Sequence, residues 1–260
     1  MTYQIYVINM SSSSDRFNYI SQQLEQQNLS FKRIPGVDVK ERQDLKNKYY
    51  SKVRNKLGYH KTLTDGEIGC YIAHRNAWKA ILDDDIDFGL VLEDDAYLKE
   101  NLKFILDNLH NLKSDWDILK LADLSTKPRK GVNIEKFQKF DIQSYYKPPT
   151  LCIAEVITRK GAKILLNLSN TFGRPVDVDK QWFCFKGLKI KGIKPYPVIS
   201  KNQFKSVIDS VEIRKHSKSF IEKLKKRRIS ASLITNKFID VSEEEHKNNR
   251  RTDFQISTYK

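Results

Sequence analysis

The sequence is poor in cysteine and has no long apolar run. Its three cysteines, Cys70, Cys152 and Cys184, are odd in number and widely spaced. That excludes a disulfide-stapled scaffold and points to reduced thiols in a cytoplasmic compartment. No apolar stretch approaches the roughly 18–20 residues that a membrane-spanning helix needs. The opening Met1-Thr2-Tyr3-Gln4-Ile5-Tyr6-Val7-Ile8 lacks a basic segment followed by a long apolar one, so no signal peptide is expected. A P-loop is missing, as is a His-rich metal cluster, which counts against a phosphotransferase or nuclease. RNP-type combinations of aromatic and basic residues are missing too, which counts against a basic RNA-binding protein and against nucleic acid as the partner.

Acid is scarce relative to base. Lys and Arg number 47 against 32 Asp and Glu, a formal net charge of +15 over 260 residues. Such a chain seeks a polyanion: nucleic acid, a phosphorylated substrate or an anionic membrane. With 39% hydrophobic and 30% charged residues it reads as globular, long enough for one large domain or a domain with an appendage.

The most informative stretch is Phe88-Gly89-Leu90-Val91-Leu92-Glu93-Asp94-Asp95, an apolar run ending in three carboxylates. It reads as a buried strand whose carboxyl end emerges at an open edge. Adjacent anions repel, so a hard divalent cation with oxygen ligands, Mg²⁺ or Mn²⁺, is expected there. In open α/β sheets ligands gather outside the carboxyl ends of the strands, where this cluster would lie.

Around it the chain alternates strand and helix. Gln4 to Ile8 predicts a first strand ending in Asn9, followed by a helix to about Gln27 with Ser12 and Asp15 at capping-box spacing. Phe31 to Asp38 predicts a second short strand broken by Pro35-Gly36, and together these suggest a parallel βαβ unit with Asn9 and Asp38 side by side at its edge. Residues 41 to 61, basic with Tyr49, Tyr50 and Tyr59, read either as an excursion near the active edge or as a solvated surface segment. Thr64-Asp65-Gly66-Glu67 has capping-box spacing, and Ile68, Tyr71, Ile72, Trp78 and Leu82 follow at helical intervals. His74 and Arg75 flank that stripe. A short helix around Leu102 to Leu109 and a strand from Trp116 to Leu121 come next. Residues 123 to 150, with Pro128, Pro148 and Pro149, read as a basic loop region. Cys152 to Ile157 predicts a buried strand interrupted by Glu155, which needs a partner or a role. Thr158 caps a further helix in which Gly161 signals close packing. Asp177 and Asp179 supply a second acidic pair, and Lys189 to Lys194 with Tyr196 to Ile199 predict final extended chain. Arg214 to Arg228 holds eight Lys or Arg with Phe220, Ile221 and Leu224 at helical spacing. It reads either as a helix lying on an anionic membrane surface or as one packing on the domain.

Four stretches together resemble glycosyltransferase family 25, the bacterial lipooligosaccharide biosynthesis glycosyltransferases. These are Tyr6 to Met10 with Asp15-Arg16; Ile34 to Asp38; Leu63 to Cys70 with His74, Arg75 and Trp78, leading to Leu90 to Asp95; and Gly161-Ala162 with Pro175 to Asp177. They span roughly residues 4 to 180 in the family's order. Met10 stands where Leu is usual, Ala73 where a Ser commonly precedes the His, and Glu155-Val156 where His and an aromatic are frequent.

The resemblance implies an α/β, GT-A-like nucleotide-sugar-binding fold with a mostly parallel central sheet flanked by helices. The catalytic domain would cover 1–210 and a basic helical extension 211–260. It implies a UDP-sugar donor, UDP-galactose or UDP-glucose, a lipooligosaccharide acceptor, and inversion at the anomeric carbon. In that scheme Asp95 is the direct ligand of Mn²⁺ or Mg²⁺, and Glu93 is turned to ribose or a metal-bound water. Asn9 and Asp38 hold uracil and ribose, Arg16 faces the phosphates, and Asp94 and His74 belong to the donor site. Asp177 is the candidate base that takes the acceptor proton, Asp179 its alternative, and Asp177 could instead ligate metal. A cytoplasmic protein, peripheral on the inner face of the bacterial inner membrane, would fit the basic charge.

Overall fold

The structure, a computed structural model, describes residues 1–99, 102–123 and 129–200. The basic segment Arg214 to Arg228 and the rest of 211–260 lie outside the described residues. The elements run β1 (Tyr3–Asn9), α1 (Ser14–Gln26), β2 (Phe31–Pro35), α2 (Gln43–Tyr49), α3 (Lys52–Gly58), α4 (Asp65–Asp83), β3 (Phe88–Glu93), β4 (Ala96–Leu98), α5 (Leu102–Asn108), β5 (Ile118–Lys120), β6 (Gly131–Phe137), β7 (Phe140–Tyr145), β8 (Ala154–Thr158), α6 (Arg159–Leu168), α7 (Val176–Phe183), β9 (Ile190–Lys194) and β10 (Val198–Ser200).

Among the described residues the main sheet has eight strands in the order β2-β1-β3-β8-β5-β9-β7-β6, and β10 pairs with β4 apart from it. Strand β1 runs parallel to both β2 and β3. This puts Asn9, Glu93 and the chain after Pro35 at one carboxyl edge. The expected mostly parallel sheet is corrected: β3–β8, β8–β5, β9–β7 and β7–β6 are antiparallel, and only β5–β9 adds a further parallel pair. For the β6–β7 pair the reason is connection length. A parallel neighbour needs a crossover of a dozen or more residues, whereas β6 and β7 are joined by Gln138 and Lys139 alone.

Both faces of the sheet are covered, and the strands carry the division in their alternation. Ile5 and Val7 of β1 and Leu90 and Leu92 of β3 point into a core shared with Ile20 and Leu24 of α1 and Leu102 and Ile105 of α5. Tyr6, Ile8 and Val91 point into a second core with Ile68, Ile72, Trp78 and Ile81 of α4 and Leu165 of α6. Strands buried on two faces lose polar alternation, which is why β1 and β3 read as continuous apolar runs.

Helix α4 carries the capping box its sequence predicts. Glu67 N–H donates to Thr64 Oγ1 at 3.2 Å and Thr64 N–H to a Glu67 carboxylate oxygen at 2.8 Å. Thr158 likewise accepts from Gly161 N–H at 2.9 Å and starts α6. At α1 the expectation differs from the structure: Ser13 is the N-cap, with no side-chain capping bond, so the Ser12–Asp15 box does not form. Residues 123–150, expected as loop, contain the β6–β7 hairpin. Its turn residue Gln138 has φ +55°, a conformation that Asn or Gly would have advertised. No helix among the described residues is long and apolar enough to cross a membrane.

Candidate active site

Strand β3 stops at Glu93, and Asp94-Asp95 form the turn into β4. The three carboxylates have different surroundings. Asp94 is buried between two donors: Arg16 Nη2 lies 2.5 Å from its Oδ1, and Asn9 Nδ2 donates to its Oδ2 at 2.6 Å. Burial pushes the Asp94 carboxyl up, opposed by the Asn9 hydrogen bond and the Arg16 charge. Arg16 also lies 3.6 Å from Asp95 Oδ2. The other oxygen, Asp95 Oδ1, is buried with no hydrogen-bond partner among the described residues. Burial and the neighbouring Glu93 charge push the Asp95 carboxyl up to about 6, with Arg16 opposing. An orphaned, reluctant carboxylate oxygen needs a cation or a proton.

Glu93 is oriented from behind. His74 on α4 is fully buried, and its Nε2 lies 3.0 Å from Glu93 Oε1. Burial holds the His74 imidazole below its ordinary value, although the Glu93 hydrogen bond opposes this. A neutral ring therefore donates Nε2–H to the carboxylate.

The amide of Asn9 is committed internally. It is 1% exposed, donates to Ser13 O at 3.0 Å as well as to Asp94, and accepts from Arg33 Nη2 at 2.5 Å. It positions Asp94 and Arg33 and has little left to offer a base. Asp38 is exposed and accepts from Lys40 N–H at 2.8 Å. Gly36 N–H donates to Asn9 O at 2.9 Å, which brings the Asp38 segment beside the end of β1.

The second acidic pair separates as cleanly. Asp179 is buried with both oxygens engaged, by Arg174 Nη1 at 2.9 Å and Tyr71 Oη at 3.1 Å. It ties α7 to α4. Asp177, in the first turn of α7, accepts only Val178 N–H, at 2.8 Å, among the described residues. Burial pushes its carboxyl up to about 6; the Glu93 charge adds to this, while Lys120 and Lys180 oppose it. That the Glu93 charge reaches Asp177 brings α7 and the tip of β3 around one site.

Beneath them lies a group that sequence reading located only in part. Glu155 is fully buried and ion-paired to both Lys120 of β5 and Lys180 of α7, each about as buried. Burial alone would raise its carboxyl, but the two ammonium groups outweigh that and hold it down at about 2. The interrupting acid in an apolar strand was the visible signal. Its lysine partners were not visible, because a lone Lys in a strand or helix ordinarily reads as exposed.

Residues 41–61 form α2 and α3 and border a cleft of about 460 Å³ lined by Lys46, Tyr50, Lys52, Lys56, Tyr59 and Lys61, among others. This basic excursion is tied to the chain just before α7. Buried Asn55 donates to Gly173 O at 2.8 Å, and Arg174 Nε donates to Gly58 O at 3.0 Å.

Comparison with known proteins identifies the family of the chain. The model of Glycosyltransferase family 25 (LPS biosynthesis protein) matches residues 2–180. Procollagen galactosyltransferase 2 of Homo sapiens is 28% identical over 190 residues, 68% of this chain and 29% of that protein. A Haemophilus influenzae protein named as a glycosyltransferase is 25% identical over 85% of this chain and 82% of its own length. Lipooligosaccharide biosynthesis protein lic2B of Haemophilus influenzae is 31% identical over 40% of this chain and 38% of its own. The chain thus spans less than a third of the human galactosyltransferase it matches. Among solved structures, A197 from STIV superposes with a TM-score of 0.42 at 13% identity, over 84% of this chain and 100% of that one, and no argument rests on it.

Proposed function

The chain belongs to glycosyltransferase family 25, and from that membership we propose that it transfers galactose from UDP-galactose, with inversion, to a hydroxyl of a lipooligosaccharide acceptor. The names of its relatives support the sugar and the acceptor class separately. UDP-glucose on the same acceptor class is the second reading, since the two donors differ only in the orientation of one hydroxyl. The observation that carries the proposal is the division of labour among the acids: Asp94 and Asp179 are tied up, whereas Asp95 and Asp177 are held reluctantly and open.

The residues fit a hard cation. Asp95 Oδ1 lacks a partner, and Glu93 offers a half-exposed carboxylate that His74 orients. Mg²⁺ or Mn²⁺ held there would neutralise charge on the departing diphosphate as a Lewis acid. Arg16, only 16% exposed and already at the acidic turn, adds a fixed positive charge toward the same phosphates. Asp177 accepts the acceptor hydroxyl's proton while that oxygen bonds to the anomeric carbon from the face opposite UDP. The bond from that carbon to the diphosphate oxygen breaks, and UDP leaves with its electron pair. The basic, tyrosine-lined cleft beside α7 receives the acceptor, where sugar faces stack on rings and phosphate substituents meet lysines.

A panel of UDP-sugars, followed by UDP release with acceptor present, tests this. We expect UDP-galactose to turn over fastest, activity to fall on chelation and return with Mn²⁺, and Asp95→Asn to lower kcat by about 10²–10³. Full turnover in Asp95→Asn would remove the metal assignment, and a faster reaction with UDP-glucose would establish the second reading.

A further inference from the structure

One polar group beside the acidic turn has no part in the transfer scheme. Cys70 lies one helical turn before His74 on α4, so both side chains leave the same face of the helix. That face meets the tip of β3, and the ligand atoms of Cys70, His74 and Glu93 all lie within 4.8 Å of one another. We propose that these three residues form a zinc site that shares Glu93 with the donor machinery, so that zinc and the donor's cation exclude each other. The exclusion rests on the reading under Proposed function; the zinc site does not.

The donor set selects the metal. Thiolate and imidazole favour zinc, whereas Mg²⁺ and Mn²⁺ prefer an all-oxygen shell such as Asp95 and Glu93 present. Ligands at about 2.0–2.3 Å from a tetrahedral zinc stand roughly 3.3–3.8 Å apart. His74 Nε2 and Glu93 Oε1 are already 3.0 Å apart, so closing the trio on an ion needs side-chain shifts of about 1 Å. Half-buried Glu93 and Cys70 leave a fourth position for water and a route of entry. The surroundings suit a cation as well: Glu93 and Asp177 both act on Cys70 as negative charges, and burial keeps the thiol protonated until a metal displaces its proton.

Binding releases that thiol proton to solvent. The imidazole proton moves from Nε2 to Nδ1, which frees the Nε2 lone pair. Among the described residues Nδ1 is buried and has no hydrogen-bond partner. A zinc-ligating histidine ordinarily has an acceptor behind it, and its absence weakens the site. The metal is therefore exchangeable and regulatory; it does not hold the fold together.

Cobalt(II) serves as the probe, because thiolate ligation gives it a near-ultraviolet charge-transfer band. One equivalent added to the full chain should produce that band, and zinc should abolish it. Cys70→Ser should remove it, while Cys184→Ser, on the turn after α7, should keep it. No band in the unaltered chain, or a persisting band in Cys70→Ser, overturns the site. Should Cys70→Ser misfold by circular dichroism, alkylation of the unaltered chain decides: zinc should slow labelling of Cys70 at least tenfold, and equal rates with and without zinc overturn the site. For the exclusion, Mn²⁺ bound in the presence of UDP is followed by the electron paramagnetic resonance of the free ion. Zinc should release it, raising the apparent Mn²⁺ dissociation constant at least tenfold, and simultaneous binding overturns the shared ligand. A chain that shows the cobalt band yet turns over no UDP-sugar sinks the transferase reading and leaves the zinc site standing.

Discussion

Asp177 and Asp179 sit two residues apart on one helix, yet they carry different chemistry because of what surrounds them. Arg174 and Tyr71 take both oxygens of Asp179, which leaves a strut; Asp177 keeps an oxygen free and a carboxyl raised to about 6. A base must be ionised to accept a proton, so kcat/KM should rise with pH through about 6 and level off above it. Asp177→Asn should lower kcat by about 10²–10⁴ and abolish that limb. Its stability should change in the opposite sense. A carboxyl raised above its ordinary 3.8 is penalised only when ionised, so the penalty is absent well below pH 4, grows through about 6 and is complete above. The Asn variant should match the parent in acid and exceed it by about 1–2 kcal/mol at pH 8, a value discounted for partial solvent access. Denaturant titrations at pH 4 and pH 8 check this. Equal stability at both pH values would mean that Asp177 is not under strain in the folded protein.

At the scale of elements, α4 does most to build the site, and one position in it sets propensity against packing. Ala is favoured over Gly by about 1 kcal/mol inside a helix. At Gly69, however, an added Cβ would stand 2.1 Å from the carbonyl oxygen of Val37. The backbone of the Asp38 segment would have to move, so overpacking wins. Gly69→Ala should destabilise the protein by about 1–3 kcal/mol and weaken UDP binding, read by thermal denaturation and calorimetry. A more stable Gly69→Ala would show that the segment yields freely. How much of this was legible beforehand follows from the kind of signal each element emits. The α4 capping box and the acid-tipped β3 are local patterns, and both were readable. The β6–β7 hairpin was not, since Gln138-Lys139 is no standard turn pair and Phe140 to Tyr145 alternates polar and apolar residues within a basic stretch. Sheet direction is not legible, because β8 runs against its neighbours β3 and β5, both distant in sequence, and nothing local to Ala154–Thr158 encodes which way it runs. The Lys120–Glu155–Lys180 group and the separation of Asp177 from Asp179 depend on partners distant in sequence. Residue identity alone could not assign them.

For the whole molecule, the excess of base has to be reconciled with an acidic centre. The site concentrates Glu93, Asp94, Asp95, Asp177 and Asp179 with Arg16, Arg174, Lys120 and Lys180 as counter-charges, so the +15 resides elsewhere on the chain. Part of it lines the α2–α3 cleft, and eight Lys or Arg fall within 214–228. A phosphorylated acceptor anchored in an anionic leaflet would be met by both. The two contributions are separable, because lysines near an anionic surface attract it at about 1 kcal/mol each, within a Debye length of roughly 10 Å at 0.1 M salt. A chain ending at residue 210 should keep its turnover of a soluble acceptor while losing at least tenfold in affinity for phosphatidylglycerol vesicles. The full chain should lose the same affinity when salt is raised from 0.05 to 0.5 M, as sedimentation with vesicles would read. Unchanged vesicle binding by the shortened chain would move membrane attraction to the catalytic domain. The cleft would then have to serve as both acceptor site and anchor, and Lys52→Ala with Lys56→Ala would be expected to weaken both together.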